Sequence, residues 1–162
     1  MEMVMSVCIN ASKAQVWKVL ADVENISLWS SAVVSAKTED IKTGVGTRRT
    51  CELSNNSTFF EEWTEWVENE FYTYQGFELP LMKTAQNTWS VKALNAEETL
   101  LTTHAEVVLK GGFLGRCLEP LMRLAFTIMG RQSLAAFKYF VEEKKPFSGP
   151  HRMLPKPLAA CS

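Results

Sequence analysis

The stretch FEEWTEW at residues 60–66 places Glu61, Glu62 and Glu65 among Trp63 and Trp66. A carboxylate that faces a buried space is either a working group or half of an ion pair, because an unpaired buried charge is too costly to keep. Side chains alternate along a strand, so Glu61, Trp63 and Glu65 are expected on one face and Glu62 and Trp66 on the other. Four residues of strand separate Glu61 from Glu65 by about 13 Å, beyond the roughly 5–9.5 Å between the carboxyl groups of a glycosidase pair. Paired-carboxylate hydrolysis is therefore disfavoured. Arg49 has the same parity one segment earlier, and a turn through Asn55-Asn56-Ser57 sets it opposite Trp63 and diagonal to both glutamates, about 7–8 Å away. Two uses of such an inward network stay open: a structural ion pair, or an arginine and a glutamate that orient a polar ligand group. The catalytic residues are not named by this pattern; Glu61 and Arg49 are candidates, with Asn87 as a further inward group that could assist a proton transfer.

Other chemistries find no constellation. His104 falls on the expected solvent face and His151 near the C-terminus, and Asp22 and Asp40 are the only aspartates, so no Ser/His/Asp or Cys/His arrangement can be assembled. Cys8, Cys51, Cys117 and Cys161 lie far apart without a CxxC pair, which predicts reduced thiols and no metal site. GVGTRR at 44–49 runs into a strand rather than a helix and lacks the context for cradling phosphate. Gly111-Gly112 reads as a strand-to-helix turn. No cofactor is expected.

The elements that must position these residues follow from periodicity. Val4 to Ile9 reads as a strand, Lys13–Ala21 as a helix begun at Ser12, and Asp22–Ser31 as a short helix or turn carrying Trp29. The period then becomes two, with strands at about 32–39, 46–54, 58–67, 71–79, 84–94 and 99–109, separated by Gly, Asn and Pro. Odd positions gather the apolar set, so Trp63, Phe71, Phe77, Trp89, Asn87 and Thr103 are expected inside. Phe60, Trp66, Tyr72 and Tyr74 run against that parity, and an exposed Trp66-Tyr72-Tyr74 patch would suit a protein partner. A β-bulge would flip a whole strand. A long amphipathic helix from Leu114 to Val141 carries Leu118, Met122 and Met129 on its apolar stripe, with Pro120 predicting either a bend or a separate first turn at 115–119.

The chain of 162 residues suits one domain, 1–145, followed by a flexible, proline-rich, basic tail, 146–162. A formal net charge of -1 argues against nucleic acid. The N-terminus has no signal-peptide pattern and no segment spans a membrane, so a cytoplasmic protein is expected, with membrane contact at most peripheral, through Lys144, Lys145, His151, Arg152 and Lys156. Oligomeric state is not legible.

The order of INASKAQVWKVLADVENISLWSSAVVSAK, GVGTRR, EEWTEW, NTWSVKAL and KGGFLGRCLEPLMRLAFTIMGRQSLAAFKYFVEE resembles the START-like (SRPBCC) superfamily, in its polyketide cyclase/dehydrase branch. The resemblance covers roughly 3–145 and implies an α+β helix-grip fold: a curved antiparallel sheet around a long C-terminal helix, enclosing a cavity. It implies a hydrophobic small molecule, lipid-like or aromatic, bound in that cavity. The alternative it implies is a cyclase-like enzyme working by cavity shape and one inward acid or base. On this basis the ligand-binding residues are expected to be Trp29 at the mouth, Arg49, Glu61, Trp63, Glu65, Phe71, Phe77, Asn87, Trp89 and Thr103 on the sheet, and Leu118, Met122 and Met129 on the helix.

Overall fold

The computed structural model of the chain describes residues 1–154. Strand β1 (Glu2–Ile9) leads into α1 (Lys13–Ala21), a 3-10 turn (Val23–Asn25) and α2 (Ile26–Trp29). Ser12 starts α1 with a capping box, its Oγ accepting from the Gln15 N–H while its own N–H donates to Gln15 Oε1. Six strands follow: β2 (Val33–Thr38), β3 (Arg48–Leu53), β4 (Thr58–Val67), β5 (Phe71–Phe77), β6 (Met82–Ala93) and β7 (Thr99–Leu109). Then come α3 (Phe113–Glu143) and a 3-10 turn (His151–Met153). The strands pair antiparallel in the order β1-β7-β6-β5-β4-β3-β2, with α3 laid against the sheet, which is the helix-grip arrangement.

Two details of register decide which side chains face inward. The β3–β4 connection is a three-residue loop in which the Asn56 N–H donates to Leu53 O, Asn56 is left-handed (φ 62°), and the Leu53 N–H donates to Ser57 O. Arg49 therefore pairs directly with Glu61, not with Trp63 as a turn centred one residue later would have it. Between β4 and β5 the register shifts after Trp63↔Tyr74 to Glu65↔Thr73, leaving Thr64 as the extra residue of a bulge.

That bulge inverts the expected faces. Trp66 turns inward, its ring 5.7 Å from Trp17 and stacked 5.2 Å from Tyr72. Glu65 turns outward, where it accepts from Thr73 Oγ1 at 2.9 Å. Because Trp63 pairs with Tyr74 and Glu61 with Gly76, the even residues of β5 line the interior. Phe71 and Phe77 consequently lie on the outer face, and Phe77 is 46% exposed. Tyr72 is buried and Trp66 and Tyr74 pack against the core, so no exposed Trp66-Tyr72-Tyr74 patch exists.

The interior divides into two clusters. One is aromatic: Trp17, Trp29, Trp63, Tyr72, Trp89 and Phe137, closed by Val7, Ile9, Leu101 and Leu134. The other is smaller and softer: Met3, Val107 and Leu109, with Met1, Met82, Ala85, Ala105, Met122 and Phe126 partly buried around them. Helix α3 spans both and runs unbroken through Pro120, so no separate first turn forms.

The chain beyond Pro146 does not leave the body of the protein at once. Phe147 meets Tyr139 edge-on at 5.1 Å, and Leu154 is buried against Ala135 and Ala136. As far as Leu154 this segment lies on α3, with Phe147 and Leu154 covering its outward face while Met153 stays exposed. The remainder, 155–162, with Lys156 and Cys161, lies outside the described residues. Cys51 and Cys117 are free, but Cys8 is disulfide-bonded, which overturns the expectation of four reduced thiols. Distance in sequence says nothing about distance in the fold, and the missing CxxC spacing could not exclude a bond. Among the described residues no helix is long and apolar enough to cross a membrane, and no three His, Cys, Asp or Glu side chains gather to hold a metal.

Candidate functional site

The gap between the two interior clusters is a cavity of about 280 Å³. Its apolar wall comes from Met3 and Met5 of β1, Met82 and Ala85 of β6, Ala105 and Val107 of β7, and Phe126 and Met129 of α3. Its polar end gathers Glu61, Tyr74, Asn87 and Thr103 from four consecutive inner strands, next to the rings of Trp29 and Trp89. Strand pairing produces this grouping: Tyr74 lies opposite Asn87, Asn87 opposite Ala105, and Trp89 opposite Thr103. At Gly130 the helix backbone comes so near β1 that an added Cβ would stand 2.1 Å from Met5 Cε, so glycine allows the methionine to lie across the cavity's flank.

The polar end is a hydrogen-bonded chain. Thr103 Oγ1 donates to Asn87 Oδ1 at 2.7 Å, and Asn87 Nδ2 donates to the Tyr74 hydroxyl oxygen at 3.2 Å. With that oxygen serving as acceptor, the Tyr74 O–H is left to donate. Burial holds the Tyr74 phenol above its usual range, as it does Tyr72, so both stay protonated at neutral pH. The indole Nε1 atoms of Trp63 and Trp89 are buried and meet no acceptor at hydrogen-bonding geometry among the described residues. Trp89 Nε1 lies towards the Tyr74 hydroxyl oxygen without reaching hydrogen-bonding geometry, so at the cavity wall it is a donor that a ligand can take up.

Beside this chain lies the buried ion pair. Arg49 Nε donates to Glu61 Oε2 at 2.8 Å, the second guanidinium nitrogen reaches the same oxygen, and the third bonds the Val23 carbonyl. The guanidinium carbon lies 4.9 Å from the centre of the Trp63 ring. Burial, the largest single influence, would lower the Arg49 pKa, but Glu61 together with Cys51, Tyr74 and Tyr72 outweighs it and holds the group above its normal range. Cys51 Sγ also points at Glu61 Oε2, at 3.6 Å. Burial pushes that thiol up to about 12, which makes it inert as a nucleophile. Arg49 thereby ties the sheet to the 3-10 turn and fixes the carboxylate at the cavity wall.

Of the residues expected to bind a ligand, Trp29, Glu61, Asn87, Trp89, Thr103 and Met129 surround this cavity. Arg49 stands behind Glu61. Trp63 faces inward but is buried in the aromatic cluster against Tyr72 and Tyr74, away from the cavity lining. Glu65, Phe71 and Phe77 are on the outer face for the reasons of register given above. Leu118 is 46% exposed and Met122 joins the smaller cluster without lining the cavity. Parity missed Tyr74, because it was extended across the β4 bulge. Met3 and Met5 were within reach of the same parity argument, since their odd positions pair with Ala105 and Thr103.

Trp29 lids the polar end. Its Nε1 donates to Asn25 Oδ1 at 3.0 Å, its ring meets Phe137 edge-on at 5.2 Å, and its carbonyl contacts His151 Nε2 at 3.1 Å. His104 is remote from the cavity, paired with Glu2 on the outer face.

A family model described as polyketide cyclase / dehydrase and lipid transport matches residues 1–142. The Zhui aromatase/cyclase from Streptomyces sp. R1128 is similar in structure at a TM-score of 0.73 with 16% identity, covering 89% of this chain and 94% of that one. Norcoclaurine synthase from Thalictrum flavum, solved with dopamine and hydroxybenzaldehyde, gives a TM-score of 0.67 at 17% identity, covering 91% and 89%. A START superfamily protein from Mycobacterium smegmatis gives 0.57 at 17% identity, covering 80% and 95%. At these identities the likeness establishes the fold. No curated protein matches the sequence.

Proposed function

Because this chain belongs to the polyketide cyclase/dehydrase and lipid transport family, we propose that it holds one small hydrophobic molecule carrying a neutral hydrogen-bond acceptor, such as a ring carbonyl. The observation that carries this reading is the two-ended cavity, methionine and phenylalanine on one side, Tyr74, Asn87, Thr103 and Trp89 on the other. A volume of about 280 Å³ equals roughly nine waters at about 30 Å³ each and lies at the small end of the roughly 300–1,000 Å³ range of ligand pockets. A ligand of one or two rings fits, or one end of a longer chain. The Tyr74 O–H and the Trp89 N–H are donors, so they select an acceptor. The nearest cation, Arg49, is already paired with Glu61, and among the described residues no Lys, Arg or His lines the wall, so nothing there attracts an anionic head group.

Binding is favoured over catalysis because the Tyr74 phenol at the wall keeps its proton at neutral pH and the Glu61 carboxylate is already held by Arg49. In the cyclase-like alternative, Glu61 would shuttle a proton along a reactive chain folded against the wall. Native mass spectrometry of freshly purified protein tests the reading, backed by quenching of Trp29 and Trp89 fluorescence with aromatic ketones. A bound molecule of matching size, or saturable quenching weakened by Tyr74→Phe, supports it. A protein that takes up neither aromatic ketones nor lipid-like molecules would refute it. Glu61→Gln separates the alternatives, since an enzyme loses turnover and keeps binding.

A further inference from the structure

The N-terminal half of α3 carries a second apolar face, opposite the one that closes the cavity. At about 100° per residue, Phe113, Cys117, Leu121, Leu124 and Ile128 fall within an arc of about 80°, pointing away from Phe126 and Gly130 on the cavity side. These are large exposures for such side chains: Phe113 79%, Leu121 65% and Leu124 60%. The same stripe continues into the C-terminal half as Ala135 and Tyr139, and there Leu154 and Phe147 cover it. Over Phe113–Ile128 it has no cover among the described residues.

The charge around the bare stretch is one-sided. Lys110, Arg116 and Arg131 are exposed along it, Arg123 reaches back to the Glu2 carbonyl of β1, and Glu119 is the only acid from 110 to 131, in a chain whose formal net charge is -1. Exposed apolar side chains flanked by Lys and Arg are the pattern of a helix lying in the interface of an anionic bilayer. Leu118 and Met129, both about half exposed, continue the apolar surface round the helix to the cavity wall, of which Met129 is part.

We propose that residues Phe113–Ile128 of α3 form a peripheral docking face for an anionic lipid bilayer, which brings the Met129 side of the cavity against the membrane. Docking stands on this surface alone. Its use, the exchange of a lipid-like ligand with the bilayer, rests on the ligand-binding reading above. The sequence placed any membrane contact on the basic tail. The proposal moves it to the helix, because Phe147 and Leu154 are already packed on Ala135, Ala136 and Tyr139.

The test is sedimentation with vesicles of phosphatidylcholine containing about 30 mol % phosphatidylserine, against phosphatidylcholine alone, at low and high salt. The whole chain should sediment with the anionic vesicles and release as salt rises. Leu121→Glu with Leu124→Glu should lower vesicle binding at least tenfold while leaving Tm and fluorescence-detected ligand uptake unchanged. Lys110→Glu with Arg116→Glu, which spares the apolar stripe, should remove the preference for anionic lipid even if the leucine variant folds poorly. Failure of the whole chain to bind anionic vesicles overturns docking without touching the ligand reading, as does binding indifferent to both variants. A chain that elutes as a dimer, becomes monomeric on Leu121→Glu and ignores vesicles would assign the face to a second copy and also overturn the proposal.

Discussion

The two ends of the interior are built from the same strands and the same helix, yet one is filled and the other is hollow. At the filled end Trp63, Tyr72, Tyr74 and Trp66 interlock at centroid distances of 5.1–6.1 Å, and α3 contributes Leu134, Phe137 and Val141. Rigid rings with many contacts leave no gap. At the hollow end the sheet contributes Ala85, Ala105, Met3, Met5 and Met82, and the helix contributes Gly130, Ser133 and Phe126. Small residues facing small residues leave volume, and methionine is flexible enough to reshape it around different occupants. The filled end supplies the stability that lets the other end stay open. Arg49 and Glu61 stand at the boundary, with the arginine against Trp63 and the carboxylate at the cavity wall.

The sharpest way to break this contrast is to truncate one phenylalanine from each end. Phe137→Ala should cost about 3–5 kcal/mol, whereas Phe126→Ala, which enlarges an existing cavity at a partly buried site, should cost about half that or less. Equal losses in urea unfolding would mean the two ends are packed alike. At the boundary, Arg49→Met alone should destabilise by about 3–5 kcal/mol because it strands a buried carboxylate, and adding Glu61→Gln should restore much of the loss. Additive losses in the cycle would show that the two groups do not interact.

Alkaline pH probes the filled end and its boundary with the cavity. Cys51 is raised to about 12, and Tyr72 and Tyr74 are also raised. The unfolded chain gives up these protons near about 8.5 to 10. Above that range the unfolded state binds fewer protons than the folded state, so stability falls with rising pH, by up to about 1.4 kcal/mol per pH unit for each group. The loss should begin near pH 9 and continue to about 12, and Tyr72→Phe should flatten it. A stability curve level from pH 8 to 11 would contradict the burial of these groups. The smallest effect on stability belongs to the hollow end: Ala85→Leu should fill space at a change of about 1 kcal/mol or less while lowering ligand uptake at least tenfold. Uptake unchanged in that variant would place the ligand elsewhere.

Local pattern was enough for the elements. Lys13–Ala21 has the same bounds in the structure as in its periodicity, as do the strands at 58–67 and 99–109, because helix caps and alternation depend on neighbours within a few residues. The inward ion pair was legible too, in its two members though not in its register. A two-fold alternation carries no information about an inserted residue, so the bulge at Thr64 put Glu65, Phe71 and Phe77 on the wrong face and hid Tyr74. Pairing across strands decided those positions, since a bulge is stabilised by what both strands bury. The resemblance implied a cavity, but its place and lining came only from tertiary structure. Empty volume is a difference between facing surfaces, and nothing in the spacing of Met5, Ala105 and Gly130 along the chain states that they will meet across it.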